Sequence, residues 1–299
     1  MTESTPPPFL NLFGRTRQKV GGWLNALAKE IIFMFEDNKP EIIFSGESQF
    51  THITIIEMGG IRTMCMGKNA EEAETSISLR NPEEPIFEYP GLFFLSLALR
   101  PLARRVVMLG LGGGFIPRLC QRHLPEHQLT VVEIDPLVVD LASVYFGFSP
   151  GANVEVVTSD GLAYLALLPP RSVDILWLDA FNGDYIPNHL STKQFLSLTR
   201  SVLHEDGLLV QNLHQSRWSA YLRQLALTQA IFEEPPLLFS GVRCANTIAI
   251  CPNGPKSIAR LPKELALAAR AFGGQVGPYD LMEESRKLIP FPPLPASTI

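Results

Sequence analysis

Val106-Val107-Met108-Leu109-Gly110-Leu111-Gly112-Gly113-Gly114 and, about twenty residues later, Val131-Val132-Glu133-Ile134-Asp135 decide how this chain folds. The first run is short, wholly apolar and opens with two β-branched valines, and it stops at glycines. That pattern predicts a buried strand turning tightly into a helix. The second run repeats the apolar strand but ends on an acid, which a parallel sheet places at its carboxyl edge.

Working outward, further apolar runs occur at Val154–Val157, Val173–Leu178 and Leu208–Gln211, with helical stretches between them. Near-continuous apolar strands alternating with helices predict a parallel sheet covered on both faces, a doubly wound Rossmann-like α/β domain over residues 101–253. Thr247–Cys251 reads as a late strand, antiparallel at the sheet edge. Before this domain, residues 41–100 carry alternating runs (EIIFSG, FTHITIIEM, IRTMCMG) and a Gly59-Gly60 turn, the pattern of a small antiparallel β-hairpin unit. An apolar connecting helix over Tyr89–Leu99 comes after it. Residues 1–40 form a predicted helical arm, with Trp23, Leu24, Leu27, Ile31 and Met34 on one face of a helix over Val20–Phe35. That face docks on the body or a second subunit, or alternatively on a membrane surface. Residues 254–299 hold one more helix and a proline-rich tail.

Composition narrows the function. The chain of 299 residues is 46% hydrophobic and 18% charged, with formal net charge -5. It lacks the clustered basic excess that a nucleic-acid surface needs. Cys65, Cys120, Cys244 and Cys251 form no C-x-x-C pair, so no metal site or disulfide is expected. No run reaches eighteen apolar residues and no signal-peptide core is evident, so a cytoplasmic protein without a membrane span is expected.

The chemistry sits at four strand ends. Gly110, Gly112, Gly113 and Gly114 would bring backbone amides close to a ligand. Glu133 is placed to accept hydrogen bonds from ribose hydroxyls, a spacing that by itself also fits NAD. Asp160-Gly161 ends the third strand, where Asp160 either contacts an adenine amino group or caps the next helix. Asp179 ends the fourth, where a partly desolvated carboxylate can hold an amine and take its proton. His189 and His214 are further polar candidates near that edge. A dinucleotide oxidoreductase leaves Asp160 and Asp179 without a role.

With these residues in view, the chain resembles the polyamine aminopropyltransferases of the spermidine synthase type from about Ser48 to Cys251. Ser48-Gln49-Phe50-Thr51-His52-Ile53 is similar to the family's S-x-Y-Q-x-I strand, Gly110–Gly114 to its glycine loop, and Glu133-Ile134-Asp135 to its E-I-D motif. Asp160-Gly161 matches its D-G pair, and Asp179 falls on the first Asp of D-S-S-D-P, the proton acceptor. The segment Ile186–Phe195 is similar to the stretch after that motif in divergent members. The resemblance implies decarboxylated S-adenosylmethionine, or S-adenosylmethionine, as co-substrate without metal. It also implies a small amine or polyamine acceptor and a homodimer. It assigns Asp179 as catalytic, and Gly110, Gly112, Gly113, Gly114, Glu133, Asp160 and Gly161 to the nucleoside. Tyr89, Asn182, Asp184 and Gln211 go to the substrate.

Departures fall on the amine side. Gly113 stands where the family has an Asp that helps hold the aminopropyl amine, and Asn182 replaces the second Asp of D-S-S-D-P. Thr51 replaces the Gln of the N-terminal motif, and the Tyr-Gln pair before the first Rossmann strand reads Tyr89-Pro90. Asp184 could stand in for a lost acid, and Arg243 could pair with the carboxylate of intact S-adenosylmethionine. Two alternatives therefore stay open: methyl or aminocarboxypropyl transfer from intact S-adenosylmethionine, and a non-catalytic nucleoside-binding homologue.

Overall fold

The computed structural model describes residues 39–67, 72–181, 186–241, 245–254 and 262–294. The predicted helix over Val20–Phe35, and Asn182, Asp184, Arg243 and Cys244, lie outside the described residues.

A four-stranded antiparallel sheet comes first: β1 (Glu41–Glu47), β2 (His52–Met58), β3 (Ile61–Met66) and β4 (Glu72–Ser78), paired in chain order. The Gly59-Gly60 turn joins β2 to β3, both glycines at positive φ. The sequence pattern gives no strand at β4, where the structure has one. Its Thr75, Ser76 and Ser78 are buried polar side chains, so the strand has no apolar alternation to betray it. The β3–β4 ladder slips: Met64 pairs with Thr75 and Cys65 with Ala73, leaving Glu74 as the extra residue of a bulge.

Helix α1 (Tyr89–Leu99) starts with Pro90 in its first turn and is buried nearly all round. Such a helix must be enclosed, and Phe93 and Phe94 pack edge-on against Trp177, which donates its indole N–H to Ser96 at 2.9 Å.

The large sheet runs β14-β10-β11-β9-β8-β5-β6-β7. Its parallel part comprises β5 (Arg105–Leu109), β6 (Gln128–Glu133), β7 (Val154–Thr158), β8 (Val173–Leu178) and β9 (Leu203–His214). Between them lie α2 (Phe115–His123), α3 (Pro136–Phe146), α4 (Gly161–Ala166) and α5 (Lys193–Val202), with α6 (Trp218–Phe232) after β9. The α/β architecture, a mainly parallel sheet with a small antiparallel sheet before it, is the one the strand pattern predicts.

The expectation of an edge position for Thr247–Cys251 needs correcting. That strand, β11 (Asn246–Pro252), is antiparallel but lies between β9 and β10 (Leu237–Ser240). The edge is β14 (Leu288–Ile289), supplied by the tail after α7 (Pro262–Ala271) and α8 (Leu281–Ser285). A two-strand ribbon, β12 (Gln275–Val276) with β13 (Tyr279–Asp280), joins those helices.

One hydrophobic cluster runs through both sheets, holding Ile53, Ile55 and Met64 of the small one with Phe93, Val131 and Trp177. The β-hairpin unit is thereby packed onto the glycine turn. Because the strand order reverses about β5, with β6 on one side and β8 on the other, a crevice opens at their carboxyl ends, the usual ligand position in such sheets.

Candidate active site

The crevice is built from turns that only certain residues allow. Gly110 has φ of +100°, and a Cβ there would stand 2.2 Å from the Asp179 carbonyl oxygen. The turn after β5 thus lies directly on the turn after β8, and the Asp179 amide donates to Leu109 O at 2.9 Å. Gly112 and Gly114 also take positive φ, at 54° and 74°. Gly114 leads into α2 without a side-chain cap, leaving first-turn N–H groups of that helix at the crevice. Gly113 is different: a Cβ would meet Thr75 Cγ2 at 2.6 Å and the Phe146 ring at 2.8 Å. Thr75 and Phe146 close the space that a side chain at 113 would need.

Glu133, at the tip of β6, is buried and bridges two turns. Its Oε2 accepts from Leu111 N and its Oε1 from Asp135 N, each at 2.9 Å. Burial pushes its pKa up, and the backbone N–H groups work against that rise. The neighbouring Asp135 accepts from Leu137 N at 3.0 Å and so caps α3.

Asp160 takes one of the two roles weighed for it, that of a helix cap. Its Oδ1 accepts from Ala163 N at 2.9 Å, capping α4, and its Oδ2 lies 2.7 Å from His189 Nε2. His189 belongs to the short 3-10 turn Asn188–Ser191 beyond β8, so two loops meet at this carboxylate. Gly161 begins α4 against Leu109, whose Cδ1 would be 3.0 Å from an added Cβ.

Asp179 is partly buried. Its Oδ1 accepts from Asn212 Nδ2 at 2.8 Å, and its Oδ2 faces the Tyr89 hydroxyl across a long 3.4 Å contact. Desolvation raises its pKa from 3.8 to about 6, against the opposing effect of the Asn212 and Tyr89 hydrogen bonds. Burial also raises the Tyr89 phenol well above its usual value, and the charges of Asp179 and Glu74 add to that. Tyr89 therefore stays a neutral donor.

Gln211 faces elsewhere. It is fully buried, donates to Thr228 Oγ1 at 3.0 Å and accepts from Gln224 at 2.8 Å, both on α6. Successive strand residues point to opposite faces, so Asn212 is the one that reaches Asp179. Asn246 of β11 donates to Asn212 Oδ1 at 2.9 Å, which fixes the amide with its NH₂ toward the carboxylate. Neither asparagine is among the residues the sequence pattern singles out. A polar residue at the end of a buried strand was the available signal. His214 hydrogen-bonds Ser216 Oγ at 2.7 Å. Among the described residues, no three His, Cys, Asp or Glu side chains gather as metal ligands, and no helix is long and apolar enough to cross a membrane.

Fold and crevice together define a Rossmann-like α/β protein with acids at the tips of neighbouring strands over a glycine turn. Residues 92–230 match the spermine/spermidine synthase domain. The polyamine aminopropyltransferase of Vibrio vulnificus (strain CMCP6) is 32% identical over 215 residues, covering 71% of this chain and 72% of that one. The chain belongs to the spermine/spermidine synthase family. The spermidine synthase of Thermotoga maritima shares the fold, with a TM-score of 0.68 at 18% identity over 84% of each chain. The human eEF1A lysine and N-terminal methyltransferase is 31% identical over 183 residues, 56% of this chain and 25% of that protein.

Proposed function

We propose that this protein transfers an aminopropyl group from decarboxylated S-adenosylmethionine to an amine and releases methylthioadenosine. The observation that carries this reading is Asp179: a partly buried carboxylate at the crevice, pKa about 6, held by Asn212 and Tyr89 beside the glycine turn. An acid tuned that close to neutrality is ionised at pH 7 and still basic enough to take a proton.

Asp179 accepts one proton from the acceptor ammonium, freeing the nitrogen lone pair. That pair forms the new C–N bond at the methylene next to sulphur. The C–S bond breaks as its electrons return to sulphur, giving neutral methylthioadenosine and a dialkylammonium product. The sulphonium is already a good leaving group, so positioning dominates, and orienting two reactants can contribute about 7–11 kcal/mol. Glu133 suits the ribose hydroxyls and Asp160 the adenine amino group. Gly110, Gly112 and the first turn of α2 suit the backbone side of the nucleoside. Gly113 and Gly114 act by allowing close packing.

Similarity to the eEF1A lysine and N-terminal methyltransferase supports a second reading, methyl transfer from intact S-adenosylmethionine. The product separates the two. Incubated with each sulphonium donor and a panel of diamines and polyamines, the protein should form methylthioadenosine only from the decarboxylated donor and only with amine present. S-adenosylhomocysteine as the sole nucleoside product would establish methyl transfer instead. Asp179→Asn should slow transfer by about 10²–10⁴-fold, the range for a lost general base.

A further inference from the structure

Tyr279, in the ribbon strand β13, lies beyond residues 92–230, the part that matches the family domain, and reaches back to the start of α1. Its side chain is buried and holds the chain on both sides of Tyr89. Two residues before Tyr89, the Phe87 carbonyl accepts from the Tyr279 hydroxyl at 3.2 Å. Two residues after it, a Cβ on Gly91 would stand 2.4 Å from Tyr279 Cδ1, so the ring lies directly on the helix backbone. The same ring packs against Phe94, with centroids 6.0 Å apart. That hold matters because α1 begins without a side-chain cap from Glu88, and a first turn lacking its own cap takes its position from outside partners. The ribbon also rests on α2, the helix that leaves the glycine turn: a Cβ on Gly277 would be 3.1 Å from Leu119 Cδ2 and from His123 Cδ2. One small ribbon therefore touches both the helix that carries Tyr89 and the helix that starts at the glycine turn.

Tyr89 needs such placing. Its hydroxyl faces Asp179 Oδ2 at 3.4 Å, a contact with no distance to spare. Among the described residues, the groups acting on Asp179 are Asn212 and Tyr89, and those acting on Tyr89 are Asp179, Glu74 and Tyr279. We propose that Tyr279 is a positioning residue: by clamping Phe87 and Gly91 it holds the Tyr89 hydroxyl against Asp179, so that the C-terminal ribbon sets how readily this carboxylate takes a proton. The consequence for catalysis rests on the aminopropyl-transfer reading; the clamp itself does not.

The test is a pH titration of the Asp179 carboxyl group by NMR of the carboxyl-labelled full chain, with the resonance assigned by its absence from Asp179→Asn. No substrate is needed. The Tyr89 hydroxyl favours the charged carboxylate, so Tyr89→Phe should raise the titration point by about half a unit to one unit, less than a well-aligned bond to a charged group gives. Tyr279→Leu, which removes the clamp, should raise it in the same direction, and Tyr279→Phe, which keeps the ring, by a smaller amount. Added to Tyr89→Phe, Tyr279→Leu should move the point by no more than about 0.3 units further, because the clamp acts through Tyr89. A merely structural tyrosine would lower the melting temperature in both backgrounds and leave the titration where it was. A wild-type titration point in Tyr279→Leu overturns the proposal, and so does full additivity with Tyr89→Phe. If Tyr279→Leu does not fold, Tyr279→Phe decides: a raised point supports the clamp and an unchanged one overturns it. A titration that moves as expected, in a protein that releases no methylthioadenosine from the decarboxylated donor with any amine, leaves the clamp standing and overturns the transfer reading instead.

Discussion

Replacing Asn212 by Leu removes the strongest hydrogen bond to Asp179, and its effect can be worked from the structure. Asn212 Nδ2 donates to Asp179 Oδ1 at 2.8 Å, and Asn246 locks the amide in that orientation. A hydrogen bond to a charged group contributes about 1.5–3 kcal/mol, and at about 1.36 kcal/mol per pKa unit this is about one to two units. Asp179 titrates near 6 with the bond in place. Without it, the carboxylate should titrate about one to two units higher, because the donor favours the charged form. The active form is the carboxylate, so kcat/KM should rise through about pH 6 in the wild type, and the same limb should move to alkaline pH in Asn212→Leu. Asn246→Ala keeps the donor but unpins its amide, so its limb should move less. The assay is methylthioadenosine release against pH at subsaturating substrate. Superimposable limbs for wild type and Asn212→Leu would refute the assignment of this limb to Asp179.

Three further outcomes are expected from the same geometry. Asp179→Asn should raise thermal stability above pH 6 while slowing transfer by about 10²–10⁴-fold. The folded pKa lies above the unfolded value, so this group's contribution is complete below pH 3.8 and lost as pH rises through about 6. The difference is at most about 3 kcal/mol and less once solvent screening of the partly exposed carboxylate is counted; equal melting curves for the two proteins at pH 8 would contradict it. Gly110→Ala should cost at least about 1–3 kcal/mol from its positive φ alone, and more from collision with the Asp179 carbonyl. Denaturant titration should find it the least stable of the glycine-turn variants. Glu133→Gln sets an NH₂ against one of two backbone N–H donors. Methylthioadenosine affinity should drop at least tenfold, measured by calorimetry.

Much of the fold could be read from residue type because the central strands are buried on both faces. Runs such as Val106–Leu109 and Ile175–Leu178 have no polar side to hide them. Strands with little apolar content were not legible. β4 buries Thr75, Ser76 and Ser78 and carries a bulge, and β10 and β14 are too short for any period to emerge. With no period to mark β10, nothing in the sequence indicates a strand beyond β11, which therefore reads as the edge.

The crevice was readable to the extent that strand ends carry it. Glu133, Asp160 and Asp179 come after apolar runs, and parallel pairing brings their turns to one sheet edge. Of the groups beside them, Tyr89 and His189 stand out in the sequence, but Asn212 and the pairing of His189 with Asp160 do not. Gln211 and Asn212 are adjacent, both polar and both buried, and only the strand's parity decides which one meets Asp179. His189 reaches Asp160 across a 29-residue separation that no local pattern records.

A crystal structure with methylthioadenosine bound tests the central claim most directly. The ribose hydroxyls should lie on Glu133, the adenine amino group on Asp160 in place of or beside His189, and the sulphur should turn toward Asp179 and Tyr89. A nucleoside lodged away from the turns after β5, β6 and β8, or a sulphur facing away from Asp179, would contradict it.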